Sequence, residues 1–211
     1  MQILVVSATQ QELAPFLSQS THVDHIITGV GSPACIYQLV KKLQQKKYDV
    51  IIQAGIAGTF NAGITLAETV LVQKDAFADL GVIEQNQLYS LFDMQWAGKN
   101  EWPYKESWLV NDYPFLTKST LKKVSGVTVN MVSDDLNIAN LYVQKYYADI
   151  ESMEGAAFHY VCLQENINFI QLRSISNRVG ERDKNKWKMK EAIENLNKEL
   201  FEIIKALNPG M

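Results

Sequence analysis

Several groups able to do chemistry stand directly after apolar runs of this chain. Glu12 comes shortly after the run at residues 3–6, and Gly55-Ile56-Ala57-Gly58 comes after the run at 50–52. Glu151 to Gly155 follow a short apolar stretch near Ile150, and Ser176-Asn177-Arg178 follow the run at 169–174. A positioned carboxylate takes a proton from water or accepts hydrogen bonds from hydroxyls. A side-chain amide offers one acceptor oxygen and two donor hydrogens, so it can read a heterocycle edge that presents both kinds of partner. Two glycines let the backbone approach a ligand closely. They do not form a P-loop, which needs a lysine and a serine or threonine, and there is no GxGxxG fingerprint. Each group also has a plain structural explanation. A glutamate in a first helical turn is favoured by the helix dipole, and asparagine is common in loops and caps.

The elements that would carry these groups alternate. Residues 3–6 read as a strand buried on both faces, and a helical pattern follows through Leu13, Phe16 and Leu17. A second strand near residues 23–28 runs into Gly29-Val30-Gly31. Ser32 as N-cap and Pro33 at the first position then open a helix through Ile36, Leu39, Val40 and Leu43. Strands are expected at 50–52, 70–72, 127–132, near Ile150 and at 169–174. Helices are expected at 137–147, at 154–165 and along the stripe Ile193, Leu196, Leu200, Ile203 or Ile204, Leu207. Residues 79–115, with three of the four tryptophans, lack periodicity and suggest hairpins and loops. Residues 1–211 therefore read as one α/β domain with a mostly parallel, covered sheet, and a three-layer αβα sandwich is expected. In such folds ligands bind beyond the carboxyl ends of the strands, where the four groups lie.

Composition narrows the partners. A formal net charge of -3 argues against nucleic acid, which needs a basic surface. The lysines at 41, 42, 46 and 47 read as a solvated helix face. Cys35 and Cys162 are too few for a disulfide framework or a zinc site, and His22, His25 and His159 have no metal-ligand spacing, so no metal is expected. The start MQILVVSA has no basic flank and no run of signal-peptide length, which gives a cytoplasmic expectation. All three arginines, Arg173, Arg178 and Arg182, fall within ten residues.

Five strings in order resemble the nucleoside phosphorylase and nucleosidase superfamily: Ala8-x3-Glu12, Gly29-Val30-Gly31, Ala54-Gly55-Ile56-Ala57-Gly58, Met153-Glu154-Gly155-Ala156-Ala157 and Arg173-Ser174-Ile175-Ser176-Asn177. The likeness spans nearly the whole chain, with 79–115 the weakest part. Within the superfamily, Ser152-Met153-Glu154-Gly155-Ala156-Ala157 and Ser174-Ile175-Ser176-Asn177-x-Val179-Gly180-Glu181-Arg182-Asp183, followed by Trp187, are most similar to the futalosine hydrolase branch. Enzymes that cleave methylthioadenosine and S-adenosylhomocysteine share the framework.

The resemblance implies a mixed central sheet, a homodimer or larger homo-oligomer, no cofactor and a small purine nucleoside as substrate. It implies that Glu12 activates water and that Glu154 accepts from the ribose hydroxyls above a floor of Met153. It puts Ala57 and Gly58 against base and sugar, and Asn137 and Ile138 at the base edge. Asn177, oriented by Ser176, would assist the leaving base. Adenine-cleaving relatives carry aspartate at that position. An amide suits a 6-oxopurine, because its NH2 donates to the oxo group while its carbonyl accepts from protonated N7. No arginine precedes Arg173 and no lysine lies in the glycine string or at 7–16, so a phosphate clamp is missing and hydrolysis is expected over phosphorolysis. Arg178 and Arg182 are the candidates for an anionic 5′ substituent. Glu151 is given a structural role.

Overall fold

The computed structural model describes residues 1–19 and 22–208. The strands are β1 (Ile3–Ser7), β2 (Asp24–Ile27), β3 (Val50–Thr59), β4 (Thr69–Phe77), β5 (Gly81–Glu84), β6 (Gln87–Ser90), β7 (Leu109–Val110), β8 (Lys123–Thr128), β9 (Ile150–Ser152) and β10 (Asn168–Arg178). The helices are α1 (Ala14–Leu17), α2 (Ser32–Leu43), α3 (Phe115–Lys118), α4 (Leu136–Tyr146), α5 (Gly155–Gln164) and α6 (Met189–Leu207).

Eight strands form one mixed sheet, with β1, β2, β3, β8 and β10 in parallel pairings and β4, β7 and β9 supplying antiparallel ones. Alternate residues of the central strands feed opposite faces, as a pleated strand buried on both sides requires. Val5, Ile52, Ile170 and Leu172 pack with Leu196, Leu200 and Ile203 of α6 on one face. Leu4, Val6, Ile51 and Phe169 pack with Cys35 and Leu39 of α2 and with Ala157, Phe158 and Cys162 of α5 on the other. The sequence stripe expected for the last helix is the buried face of α6, and the result is the anticipated αβα sandwich.

The sheet also closes on itself. β3 pairs with β10, β10 with β4, β4 with β8, β8 with β9, and β9 returns to β3 through Gly58 and Thr59. Ala57, Val70, Val72, Val124, Ile150 and Ile175 come from these five strands and pack together as their shared filling.

Three elements differ from the sequence expectation in ways that matter for the site. β3 and β10 do not stop at 52 and 174. They stay paired as far as Thr59 and Arg178, so the glycine string is strand rather than loop, with a bulge between Ile175 and Asn177. The strand expected at 127–132 is β8 at Lys123–Thr128, and Met131 and Val132 are exposed although apolar. Gly126 lies in β8 because a Cβ there would come within 2.8 Å of the buried Asp75 carboxylate. Finally, Glu12 precedes α1, in the turn at residues 10–13, instead of standing inside a helix. In the segment 79–115, β5 and β6 form a hairpin through Gln85 and Asn86, both at positive φ as a type I′ turn demands.

Candidate active site

Glu12 is buried at the carboxyl end of β1, and its two oxygens are used differently. Oε2 accepts from Ser7 Oγ at 3.1 Å, Thr9 N at 2.9 Å and Thr9 Oγ1 at 2.8 Å. Glu12 N in turn donates to Thr9 Oγ1 at 3.3 Å, so Thr9-x-x-Glu12 is a reciprocal capping box. Among the described residues Oε1 accepts only from Ile56 N, at 3.0 Å, and keeps a lone pair. The turn is clipped to α6 by buried Asn197, which donates to Glu12 O at 2.8 Å and accepts from Phe16 N at 3.1 Å.

Next to Oε1 lies Arg173, a wholly buried guanidinium on β10. Nη2 donates to Gln53 Oε1 at 2.8 Å, Nη1 lies 3.4 Å from Ile56 O, and Nε has no partner among the described residues. Gly55 makes this approach possible. A Cβ there would stand 2.3 Å from Arg173 Nη1 and 3.0 Å from Glu12 Oε1. Arg173 Nη1 is also 3.8 Å from Glu154 Oε2, the one ion pair that compensates a buried cation here.

Glu154 is the N-cap residue of α5. Its Oε1 accepts from Gly31 N at 2.9 Å, across the string that follows β2. Burial raises its pKa above the ordinary carboxylate value, while Arg173 and the Gly31 amide oppose that. Oε2 has no hydrogen-bond donor among the described residues and is available to hydroxyls. The helix start is fixed from beneath: Ala156 N donates to Thr128 Oγ1 at 2.7 Å, and Thr128 Oγ1 donates to Asp75 Oδ1 at 2.9 Å. Asp75 also accepts from Gln171 Nε2 at 3.1 Å, and burial pushes its carboxyl up to about 6. His159, on the inner face of α5, packs in the core, Nδ1 3.0 Å from Leu109 O; burial pulls its pKa down to about 4, so the ring is neutral.

Asn177 Oδ1 accepts from Ser176 Oγ at 2.8 Å, and Nδ2 donates to Arg178 O at 2.8 Å. These two bonds fix which way the amide faces. They leave one lone pair on Oδ1 and one hydrogen on Nδ2 for a ligand. Gly58 is in register with Asn177, and a Cβ there would be 3.4 Å from Asn177 Nδ2 and 3.0 Å from Val179.

A cavity of about 320 Å³ joins these groups, lined by Glu12, Ile56, Ala57, Gly58, Met153, Glu154, Ser176 and Asn177 among others. Three residues expected at the site stand away from it. Arg178 turns to Asn61 O, at 2.6 Å, because it is the next residue along the strand after Asn177 and takes the opposite face. Asn137 N donates to the cap residue Asp135, so Asn137 and Ile138 belong to the first turn of α4, and neither lines the cavity. Val132 and Ser133, from the chain leaving β8, occupy the wall instead. Of the two candidate cations, Arg182 does line the cavity, 5.9 Å over the Trp187 ring. Glu151, assigned a structural role from sequence, is a lining residue whose carboxyl is pushed up to about 7 by burial and by Asp79. Arg173 carries no such assignment either; its signal is a charged residue at the apolar position of an otherwise buried strand.

Comparison with known proteins agrees with this architecture. Residues 118–207 match the family model described as Phosphorylase superfamily. A futalosine hydrolase of Thermus thermophilus is 29% identical over 210 residues, covering 90% of this chain and 89% of the relative. One from Acidothermus cellulolyticus is 28% identical, covering 82% and 71%. Among solved structures, methylthioadenosine/S-adenosylhomocysteine nucleosidase of Neisseria meningitidis, in complex with methylthio-immucillin-A, superposes with a TM-score of 0.78 at 16% identity, over 98% of this chain and all of that one. Native futalosine hydrolase of Helicobacter pylori gives a TM-score of 0.75 at 13% identity, over 97% of each. The chain is thus similar to the phosphorylase superfamily over residues 118–207, to futalosine hydrolases in sequence along most of its length, and to nucleosidases in fold.

Proposed function

We propose that the chain hydrolyses the N-glycosidic bond of a 6-oxopurine nucleoside, with futalosine, the substrate named by its curated relatives, as the preferred one. The observation that carries this reading is the asymmetric Glu12 carboxylate: Oε2 saturated by three donors, Oε1 keeping a lone pair beside Arg173. Oε1 accepts the proton of a water attacking the anomeric carbon, while Arg173, buried behind Gly55 and outside the cavity lining, offsets the negative charge of Glu12 and Glu154. Glu154 Oε2 accepts from the ribose hydroxyls, and Met153 lies under the sugar. As the C–N bond breaks, its electron pair moves into the purine, and N7 takes up a proton from solvent, since the Asn177 amide has none to give. Asn177 then accepts from N7–H through Oδ1 and donates to the 6-oxo group through its free Nδ2 hydrogen. Departure assisted in this way is general acid–base and electrostatic catalysis without a covalent intermediate.

Hydrolysis is favoured over phosphorolysis because Arg182 is the only cation among the described lining residues, and it stands at the Trp187 side. That pair suits the aryl carboxylate on the 5′ side of futalosine: an aromatic wall with a guanidinium above it. The reading carries with it a cytoplasmic homo-oligomer serving menaquinone synthesis. Exposed Val30 at the cavity supports self-association.

The test is free-base release from futalosine, inosine and methylthioadenosine, with and without phosphate, followed by chromatography. Hypoxanthine from futalosine, independent of phosphate, is the expected outcome. Adenine from methylthioadenosine would keep the hydrolysis and overturn the base assignment, whereas a requirement for phosphate would overturn hydrolysis itself.

A further inference from the structure

The Glu151 carboxyl has no hydrogen-bond partner among the described residues although only 9% of the residue is exposed, and it lines the cavity. Its place in the sheet is specific. Glu151 of β9 is directly opposite Gly58 of β3, and Gly58 is opposite Asn177 of β10. Residues opposite each other on neighbouring strands project to the same face, so Glu151 and Asn177 flank the gap that Gly58 leaves by lacking a side chain. Two strand spacings, roughly 10 Å, separate their backbones. That is room for one flat heterocycle with a polar group at either edge.

The charges around Glu151 are unequal. Asp79, beyond the end of β4, is fixed by Asn130, whose backbone N–H donates to it at 2.6 Å. Tyr142 of α4 approaches the same two carboxyls, and its hydroxyl is pushed up to about 12, burial first. Among the described residues Arg182 is the one cation facing Glu151, and it offsets burial and Asp79 only in part.

We infer that Glu151 contacts the base as a neutral carboxylic acid, donating a hydrogen bond to a ring-nitrogen lone pair across Gly58 from Asn177. The inference rests on the nucleosidase reading for the presence of a purine, and it deepens that reading by adding a second edge contact that depends on protonation. With its carboxyl pushed up to about 7, the donor-competent fraction falls about tenfold between pH 6 and pH 8, and apparent affinity scales with that fraction.

The experiment is isothermal titration of hypoxanthine and of adenine into the full chain at pH 6 and pH 8, for wild type, Glu151→Gln and Glu151→Ala. Wild type is expected to lose about tenfold in affinity over this range. Glu151→Gln, which keeps a donor that cannot ionise, should bind several-fold more tightly than wild type at pH 8. Glu151→Ala should be weak at both. A wild-type affinity independent of pH, or an equally steep fall in Glu151→Gln, overturns the inference. If adenine is the base that binds and shows this pattern, the 6-oxopurine assignment fails while the role of Glu151 stands. If neither base binds at pH 6, both fall.

Discussion

Asn177→Asp is the sharpest perturbation of the base assignment, because one atom changes and its surroundings are fixed. Nδ2 now donates to Arg178 O at 2.8 Å, and Oδ1 accepts from Ser176 Oγ at 2.8 Å. Aspartate can keep the second bond but sets an oxygen against the Arg178 carbonyl. The part-buried Arg178 carbonyl loses its donor, which lowers stability, and the 6-oxo group loses its donor as well, which costs about 1–3 kcal/mol in the transition state. At ~1.4 kcal/mol per decade this is roughly a 5- to 150-fold loss of kcat/KM on a 6-oxopurine nucleoside. The carboxyl can relieve the clash by taking a proton. Its folded pKa is therefore raised, and the remedy is available at low pH and disappears as pH rises through that value. Two acceptor oxygens also match an exocyclic amine, so the ratio of adenine to hypoxanthine release should increase. The assay is steady-state base release from paired inosine-type and adenosine-type substrates between pH 5.5 and 8. Unchanged preference, with turnover like that of the wild type at every pH, would refute the reasoning, since it would mean that the orientation of this amide does not select the base.

Four further outcomes are expected. Glu12→Gln should bind free base normally and lose at least 100-fold in turnover; near-normal turnover removes Oε1 from the mechanism. Gly55→Ala drives a Cβ to 2.3 Å from Arg173 Nη1, which should cost about 1–3 kcal/mol of stability in a denaturant melt and most activity. Arg182→Ala should raise KM for futalosine about tenfold or more and leave inosine cleavage unaffected at pH 6, where Glu151 is already protonated, and equal losses on both would dismiss the 5′ subsite. Asp75, pushed up to about 6, favours the protonated folded state, so its contribution to stability is full below its unfolded pKa near 4 and lost as pH rises through 6. At ~1.4 kcal/mol per pH unit the swing is about 3 kcal/mol. In urea melts Asp75→Asn should remove that part of the slope, with Gln171 turning its unpartnered Oε1 to the new NH2 group.

The framework was legible where a single periodicity dominates. The apolar runs of β1, β3 and β10 and the stripe of α6 could be read directly, and so could the site groups at their ends. What escaped was set by partners distant in sequence. Two glycines argue for a loop, yet Gly55 and Gly58 lie within β3 because β10 and β9 continue to pair with it, with Arg173 filling the place of a side chain at Gly55 and Asn177 bordering that at Gly58. Glu151 reads as an ordinary polar residue of a short strand until the opposite strand supplies Gly58. The placement of Asn137 and Ile138 rested on a short local likeness with no period to fix its register, and the chain from 129 to 135 is irregular. The alternation that removes Arg178 from the cavity was available once β10 was known to run that far. The Thr9-x-x-Glu12 capping box was available from the start, and it orients the carboxylate without help from a helix.

β3 touches both ends of the chemistry. Its Ile56 amide holds Glu12, its Gly55 admits Arg173, and its Gly58 lies between Asn177 and Glu151. Three consecutive turns of the pleat thus act as a ruler, and the distance from attacking water to departing base is counted in peptide units of one hydrogen-bonded strand. A strand paired on both edges does not stretch, so substrate meets a gauge already cut to length, and the ordering entropy has been met during folding rather than at each encounter. Adjusting this enzyme to a longer or shorter reach would require adding or deleting a residue of β3, and a slip of one residue would invert every side chain beyond it. Variation among such chains is thereby channelled into what surrounds the ruler, the 178–188 loop and the chain after β8, where Arg182, Trp187, Val132 and Ser133 meet the parts of a nucleoside that differ.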